Sequence, residues 1–259
     1  MHAAAAVARD STHHSTTPLD AVGPESPHWP TWRGHFERNE SRALPAVEST
    51  SEIPESWRAP LSRSLARFQL GEGGEGRIAR EIYRTDIRGI DDDYRVALGL
   101  FVAEEGRHAR ILGTMVRALG GNLLRKQWTE SLFVHGRRLA GTRLKLVVLL
   151  AAEVIGIGFY GLLADALPNG DVKRALRQIA DDEQAHLRFH ADFFRTQTTT
   201  PIGAIAFRAI WRSVAAAACA VVLVDHRDVM DAMDLSTNRA ARRLLDLVLR
   251  VEREVLAAG

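Results

Sequence analysis

Cysteine is nearly absent from this sequence, since Cys219 is the only one among 259 residues. A single thiol excludes an internal disulfide, a four-cysteine zinc site and a rubredoxin-type iron site. A chain without disulfides is typical of a reducing compartment, so we expect a cytoplasmic protein.

Net charge is also small, because 34 basic and 32 acidic residues leave a formal charge of +2. Charges of both signs are scattered along the chain, so we expect no nucleic-acid partner. Residues 1–10 have neither a basic start nor a long apolar core, so we expect no secretory leader.

Long apolar runs are few. Residues 146–164 approach the length of a membrane span, but Glu153 interrupts them, and Arg208 and Arg212 interrupt residues 202–224. We therefore expect no membrane span and interpret 146–164 as a helix buried in a protein core. A buried carboxylate such as Glu153 then needs a partner or a metal ion.

Helical periodicity dominates the rest of the sequence. Apolar residues recur at three- and four-residue spacing in four segments, which predicts an all-α domain over 53–259 with a core bundle at about 60–196. Additional helices are predicted at about 202–257. Residues 1–52 have no sustained periodicity and are predicted to form a largely irregular N-terminal extension, in which Trp29, Trp32 and Phe36 could pack against the bundle.

Two short stretches contain the same Glu-x-x-His pattern, at Glu105 and His108 and again at Glu183 and His186. Positions i and i+3 of a helix face the same side, and here that side carries the apolar stripe. One such pair alone is best explained as a buried Glu–His hydrogen bond. Two pairs on facing helices match the ligand pattern of dimetal carboxylate bundles.

Single glutamates precede both pairs at the same distance. Glu75 lies 30 residues before Glu105 (105 − 75), and Glu153 lies 30 residues before Glu183 (183 − 153). Repeated helical hairpins would bring four carboxylates and two imidazoles together as six metal ligands. Glu72 is an alternative to Glu75, because both lie on the same stripe.

Glycines surround Glu72 and Glu75. Either the helix breaks there into a loop, or small residues allow close packing and the helix continues to Ile82; we expect the continuation. The four glycines are Gly71, Gly73, Gly74 and Gly76.

Carboxylates with imidazoles suit iron or manganese, so the predicted cofactors are two Fe ions, with a Mn/Fe pair as the alternative. Two divalent ions would balance four carboxylates, which would otherwise repel one another in a buried site. Outside this set, Asp182 is predicted to support His108 and Glu104 to support His186, with Arg107 joining them. The alternative is that these three residues are solvated flanks.

The sequence Glu104–His108 resembles the E-E-x-R-H motif of soluble acyl-carrier-protein desaturases, and Ile179–His186 resembles their second D-E-x-x-H helix. More broadly, residues 60–196 resemble the ferritin-like diiron carboxylate superfamily. Monooxygenase hydroxylases carry Arg where Ala185 precedes His186. N-oxygenases carry an extra His at the position of Ile179, for which His190 is a candidate substitute.

This resemblance implies a ferritin-like four-helix bundle and an oxidoreductase that uses O2 to desaturate, hydroxylate or N-oxidise an organic substrate. The substrate would be a small molecule or linked to a carrier, and the predicted cavity residues are Leu98, Phe101, Phe189, His190 and Phe193. A separate ferredoxin or reductase would supply electrons, because no nucleotide-binding glycine motif follows a strand. A homodimer is left open. The alternatives are a ferritin- or rubrerythrin-like iron-handling or peroxide-reducing protein, and a metal-free helical scaffold.

Overall fold

Eight α-helices and no strand make up the part of the chain that the computed structural model describes, which is residues 28–73, 80, 82–85, 87–124 and 141–257. The prediction of an all-α fold is confirmed. The helices are α1 (Trp29–Glu40), α2 (Glu55–Glu72), α3 (Asp92–Ala118), α4 (Thr142–Ala166), α5 (Asp171–Gln197), α6 (Pro201–Asp225), α7 (Arg227–Ala232) and α8 (Thr237–Leu256).

Four of these helices surround the core in two hairpin-like pairs. Helix α2 packs along α3, α4 packs along α5, and α3 also contacts α5. Helices α6 and α8 cover α4, and α8 reaches α5 as well. The inner faces are apolar at helical spacing, so burying them supplies the main favourable free energy of folding.

The N-terminal extension contains a helix, so the prediction that it is largely irregular is wrong for residues 29–40. Pro30 suits the first turn of α1 because its missing N–H would be unbonded there in any case. Trp29, Trp32 and Phe36 lie on one face of α1 and are buried. Their rings contact Phe189 on α5. Helix α1 is therefore held in place by tertiary contacts.

Helix α2 begins at Glu55 and ends at Glu72, so the predicted continuation to Ile82 is wrong. Gly73 forms its C-terminal cap, and interior glycines each cost about 0.5–1 kcal/mol relative to alanine. Close packing against the described residues does not explain Gly71, since an added Cβ there would meet none of their atoms within 4 Å. Residues 74–79, which include Glu75, lie outside the described residues.

Helices α4 and α6 are each long and apolar enough, by length and composition, to cross a membrane. The most apolar stretch of α4 is 83% buried, as expected of a core helix, whereas that of α6 is 28% buried. Arg208 and Arg212, which we expected to interrupt residues 202–224 as a possible span, do not exclude α6 on length and composition. They are the only charged side chains between Pro201 and Val224, which is too few to lower the mean hydropathy enough.

The candidate metal centre

Two helices contribute the paired motifs from facing sides of the bundle. Glu105 and His108 project inward from α3, and Glu183 and His186 project inward from α5; all four side chains are buried. One ligand atom from each of the four lies within 4.8 Å of the other three. The i, i+3 spacing places each pair on one helix face, and the packing of α3 against α5 then brings the two pairs together in a single cluster.

The carboxylates of the two Glu-x-x-His pairs each lie close to both histidine rings of these pairs. Nδ1 of His108 lies 3.1 Å from Oε1 of Glu183 and 3.6 Å from Oε2 of Glu105. Nδ1 of His186 lies 2.6 Å from Oε1 of Glu105 and 3.1 Å from Oε2 of Glu183. Ligand atoms about 2.1 Å from one ion lie within about 4 Å of each other. Glu105 and Glu183 are therefore each placed so that they could share a metal ion with either histidine.

The single glutamates lie at opposite ends of this cluster. Glu153 is buried on α4, with Oε2 3.7 Å from Nδ1 of His186. Glu72, at the end of α2, accepts a hydrogen bond of 2.5 Å from the hydroxyl of Tyr160 and lies beside Glu105. The structure thus brings the alternative Glu72 to the cluster, whereas Glu75 lies outside the described residues.

The outer ring nitrogens of both histidines face acids on the opposite helix. Nε2 of His108 lies 3.2 Å from Oδ2 of Asp182, and Nε2 of His186 lies 3.3 Å from Oε2 of Glu104. These are the two cross-bundle pairs named from the sequence. An Nε2–H that donates to a carboxylate leaves the Nδ1 lone pair directed into the cluster, as a metal ligand requires. Their role in supporting bound metal stays a prediction.

Arg42 is a functional candidate that sequence reasoning missed. Its guanidinium forms an ion pair with Asp182 and lies 3.5 Å from Oε1 of Glu104, so one cation compensates both outer acids. That Arg107 joins this network stays a prediction. Arg107 donates to the backbone carbonyls of Asn39 and Arg42, and so fixes the segment that carries Arg42. No periodicity in residues 41–54 could have indicated this contact.

Burial raises the pKa of Glu72 and of Glu153 well above the ordinary value, and repulsion from the carboxylates of Glu105 and Glu183 adds to this increase. Burial would also raise the pKa of Glu105, but the nearby imidazoles of His186 and His108 lower it well below its usual range. Burial disfavours protonated His108 and His186, yet the surrounding carboxylates outweigh it and raise the pKa of both. Without metal, therefore, the cluster holds protons that divalent cations would replace.

Several polar atoms that face the cluster lack a hydrogen bond among the described residues. They are both carboxylate oxygens of Glu105, Oε1 of Glu183 and Nδ1 of His108. Oε1 of Glu105 is 2.6 Å from Nδ1 of His186 but does not have the geometry of a hydrogen bond. Unpaired buried acceptors are costly, and these are oxygen and imidazole donors of the kind that iron and manganese bind. The residues present therefore fit a pair of such ions.

The predicted cavity residues form a packed aromatic layer beside the cluster. Leu98, Phe101, Phe189 and Phe193 are almost fully buried. The ring of Phe101 meets that of His186 edge-on at 4.8 Å, and Phe189 stacks on Tyr94 at 5.2 Å. Their role in lining a substrate cavity stays a prediction, since these contacts show packing against protein.

His190 lies in the same layer, one turn beyond His186, and is fully buried. Burial and the neighbouring His186 lower its pKa to about 3. His226 is also buried, and its Nδ1 lies 2.7 Å from Oγ of Ser64. It is thus a hydrogen-bonded histidine and does not belong to the group of candidate ligands.

Comparison with known proteins found no matching family model, no matching curated protein and no matching solved structure. The chemistry of the centre therefore has to be argued from its own geometry. That geometry defines an all-helical protein with a buried glutamate–histidine cluster that could hold metal ions.

Proposed function

We propose that the protein is a ferritin-like diiron carboxylate oxidase or oxygenase that uses O2 on an organic substrate. The observation that carries the proposal is the arrangement of Glu105 and Glu183, each within reach of both His108 and His186. Two ions held close together by shared carboxylates are the arrangement that dimetal redox sites require.

The position of each residue in the cluster suggests its role in binding the two ions. Glu105 and Glu183 would bridge the ions, while Glu72 and Glu153 would complete the two ends. Once bound, the iron pair would supply the electrons and the Lewis acidity for O2 chemistry. The protein contributes four carboxylates that balance two divalent charges, hydrogen bonds that orient both imidazoles, and an aromatic layer that excludes water.

Within this class, desaturation, hydroxylation and N-oxidation of a small or carrier-linked substrate are all compatible with the centre. A Mn/Fe pair is the alternative metal content, because the same donors suit manganese. We expect electrons to come from a separate ferredoxin or reductase. Cys219 is the single cysteine of the sequence, too few for an iron–sulfur cluster, and the described residues form no strand that could precede a dinucleotide-binding glycine motif. The expected location is the cytoplasm.

An iron-handling or peroxide-reducing protein is the second candidate function. The close packing of Phe101, Phe189 and Phe193 supports it, because O2, H2O2 and Fe²⁺ need less space than an organic substrate. Helix α1 and helices α6 to α8 argue against it, because a minimal storage protein needs only the bundle. Size-exclusion chromatography separates the two, since a large cage of subunits favours storage and a monomer or dimer favours the oxygenase.

Metal analysis of protein expressed with added iron tests the proposal. We expect two iron ions per chain, together with O2 consumption and a change in the optical spectrum when the reduced protein meets O2. The control is the double variant Glu105→Ala, Glu183→Ala, which should lose both iron and O2 consumption. Protein without iron, or iron content unchanged in the double variant, would overturn the proposal in favour of the metal-free scaffold.

A further inference from the structure

His190 is a buried imidazole for which the described residues offer no hydrogen-bond partner. It lies on α5 with no exposed surface, and neither Nδ1 nor Nε2 has a hydrogen bond among the described residues. Buried polar groups are nearly always paired, because each unpaired one forfeits its bonds to water. His226, the comparable buried histidine, has Ser64 as its partner. The absence of a hydrogen bond to His190 therefore requires an explanation.

A carboxylate close to this ring belongs to the metal centre. Nε2 of His190 lies 3.7 Å from Oε1 of Glu153, and Nδ1 of His186 lies 3.7 Å from Oε2 of the same carboxylate. Glu153 thus presents one oxygen to each of two imidazoles. A separation of 3.7 Å is too long for a hydrogen bond. Atoms bound at about 2.1 Å to one ion, however, lie about 3 to 4 Å apart.

Helix geometry places His190 on the correct face. Positions i and i+4 share a side of a helix, so Glu183, His186 and His190 form one inward stripe on α5. The ring is fixed there by Phe101, whose ring meets it edge-on at 4.9 Å, and by Phe189 at 5.3 Å. An imidazole fixed in this way needs little reordering to bind a metal.

We propose that His190 is a third histidine ligand of the centre and binds the divalent transition-metal ion at the Glu153 end. This inference rests on the metal site of the proposed function. The Glu153 end would then hold two imidazoles, His186 and His190, whereas the Glu72 end holds only His108. The two metal positions are therefore unequal, and the nitrogen-richer position favours transition ions over Mg²⁺ or Ca²⁺.

Cobalt(II) titration of the metal-free full-length protein tests this assignment, because the visible spectrum of Co²⁺ depends on its ligands. Wild-type protein should bind two Co²⁺ ions per chain. His190→Leu should keep one ion at wild-type affinity, bind the other at least about 10-fold more weakly, and show a changed spectrum for that ion. The matched control His226→Gln alters the other buried histidine and should keep both affinities and the spectrum.

Imidazole rescue distinguishes a ligand from a packing residue. His190→Gly opens a space for the missing ring, so added imidazole should restore the affinity and spectrum of the second Co²⁺ ion. A residue that only packs would give no spectral recovery. The melting temperature of metal-free His190→Leu should equal or exceed that of wild type, because a leucine replaces an unpaired polar ring of similar size. If this variant fails to fold, His190→Gln is used with the same expectations.

The outcomes separate this inference from the proposed function. If wild type binds two Co²⁺ ions and His190→Leu binds both with unchanged affinity and spectrum, the assignment of His190 is overturned while the dimetal centre stands. If wild type binds neither Co²⁺ nor Fe²⁺, or if binding survives in Glu105→Ala, Glu183→Ala, both proposals are overturned.

Discussion

The hydroxyl of Tyr160 donates a hydrogen bond to the carboxylate of Glu72 across 2.5 Å, joining the middle of α4 to the last residue of α2. The Tyr160 end of this bond is fully buried. The bond fixes the Glu72 carboxylate against the cluster at the C-terminal end of α2.

Tyr160→Phe should therefore destabilise the metal-free protein by about 1–2 kcal/mol and weaken metal binding at the Glu72 end. Denaturant unfolding and Co²⁺ titration measure the two effects. The matched control is Tyr94→Phe, because the Tyr94 hydroxyl is equally buried but has no hydrogen-bond partner among the described residues. Its removal should be neutral or stabilising. Equal losses in the two variants would show that the Tyr160 bond has no special role.

Metal loading should raise the thermal stability of the wild type. An ion that binds only the folded state stabilises it by about 2.7 kcal/mol at 100 times its dissociation constant. Anaerobic Fe²⁺ or Mn²⁺ should therefore raise the melting temperature of wild type and have no effect on Glu105→Ala, Glu183→Ala. Glu252→Gln removes an ion pair between Glu252 and Arg212 outside the centre and should keep the full increase. An increase that persists in the double variant would point to metal bound elsewhere.

The metal-free protein should lose stability as pH rises above about 6.5. The pKa of His108 and of His186 is raised above the ordinary 6.5, so the folded imidazoles keep protons that the unfolded chain has released. Their stabilising contribution is complete below that ordinary value and is lost as pH rises through the folded-state pKa. The raised pKa of Glu72 and of Glu153 acts in the same direction, from 4.5 upward.

Metal should weaken or reverse this pH dependence, because the ligands must release their protons to bind and metal affinity therefore rises with pH. Thermal unfolding with chelator and with excess Mn²⁺, at matched ionic strength, compares the two slopes. Below about pH 4.5 a separate loss is expected as Glu183, whose pKa is lowered to about 2, becomes protonated. Identical slopes with and without metal would contradict the prediction.

Arg42→Gln should weaken metal binding about 10- to 100-fold, because it removes the cation that lies against Asp182 and Glu104 behind both histidines. Calorimetric titration with Mn²⁺ measures this effect. Arg33→Gln is the control, since Arg33 on α1 pairs only with exposed acids, Glu37 and Asp93. Its effect on stability should stay within about 0.5 kcal/mol and metal affinity should not change. Equal behaviour of the two variants would exclude a role for Arg42.

The sequence alone predicted the parts of this protein that depend on short-range spacing. A three-residue interval sets Glu105 with His108 and Glu183 with His186 on one helix face each, whatever the rest of the chain does. The solitary Glu153 in an apolar helix was likewise visible, because a buried carboxylate without a partner is costly. The all-α fold and the cross-bundle pairs of Asp182 and Glu104 followed from the same periodicity.

Other features of the site depend on where helices end and on which distant segments meet, and only the tertiary structure determined these. Equal offsets favoured Glu75, which lies outside the described residues, so that choice stays a prediction. The end of α2 at Glu72 and the bond from Tyr160 are tertiary features that hold the Glu72 carboxylate at the cluster. Arg42 follows α1 in an irregular segment, so only the docking of that helix brings its charge to Asp182. The sequence named His190 as a candidate, but the absence of a hydrogen bond to its ring among the described residues appeared only in the structure, because it depends on every neighbour in space.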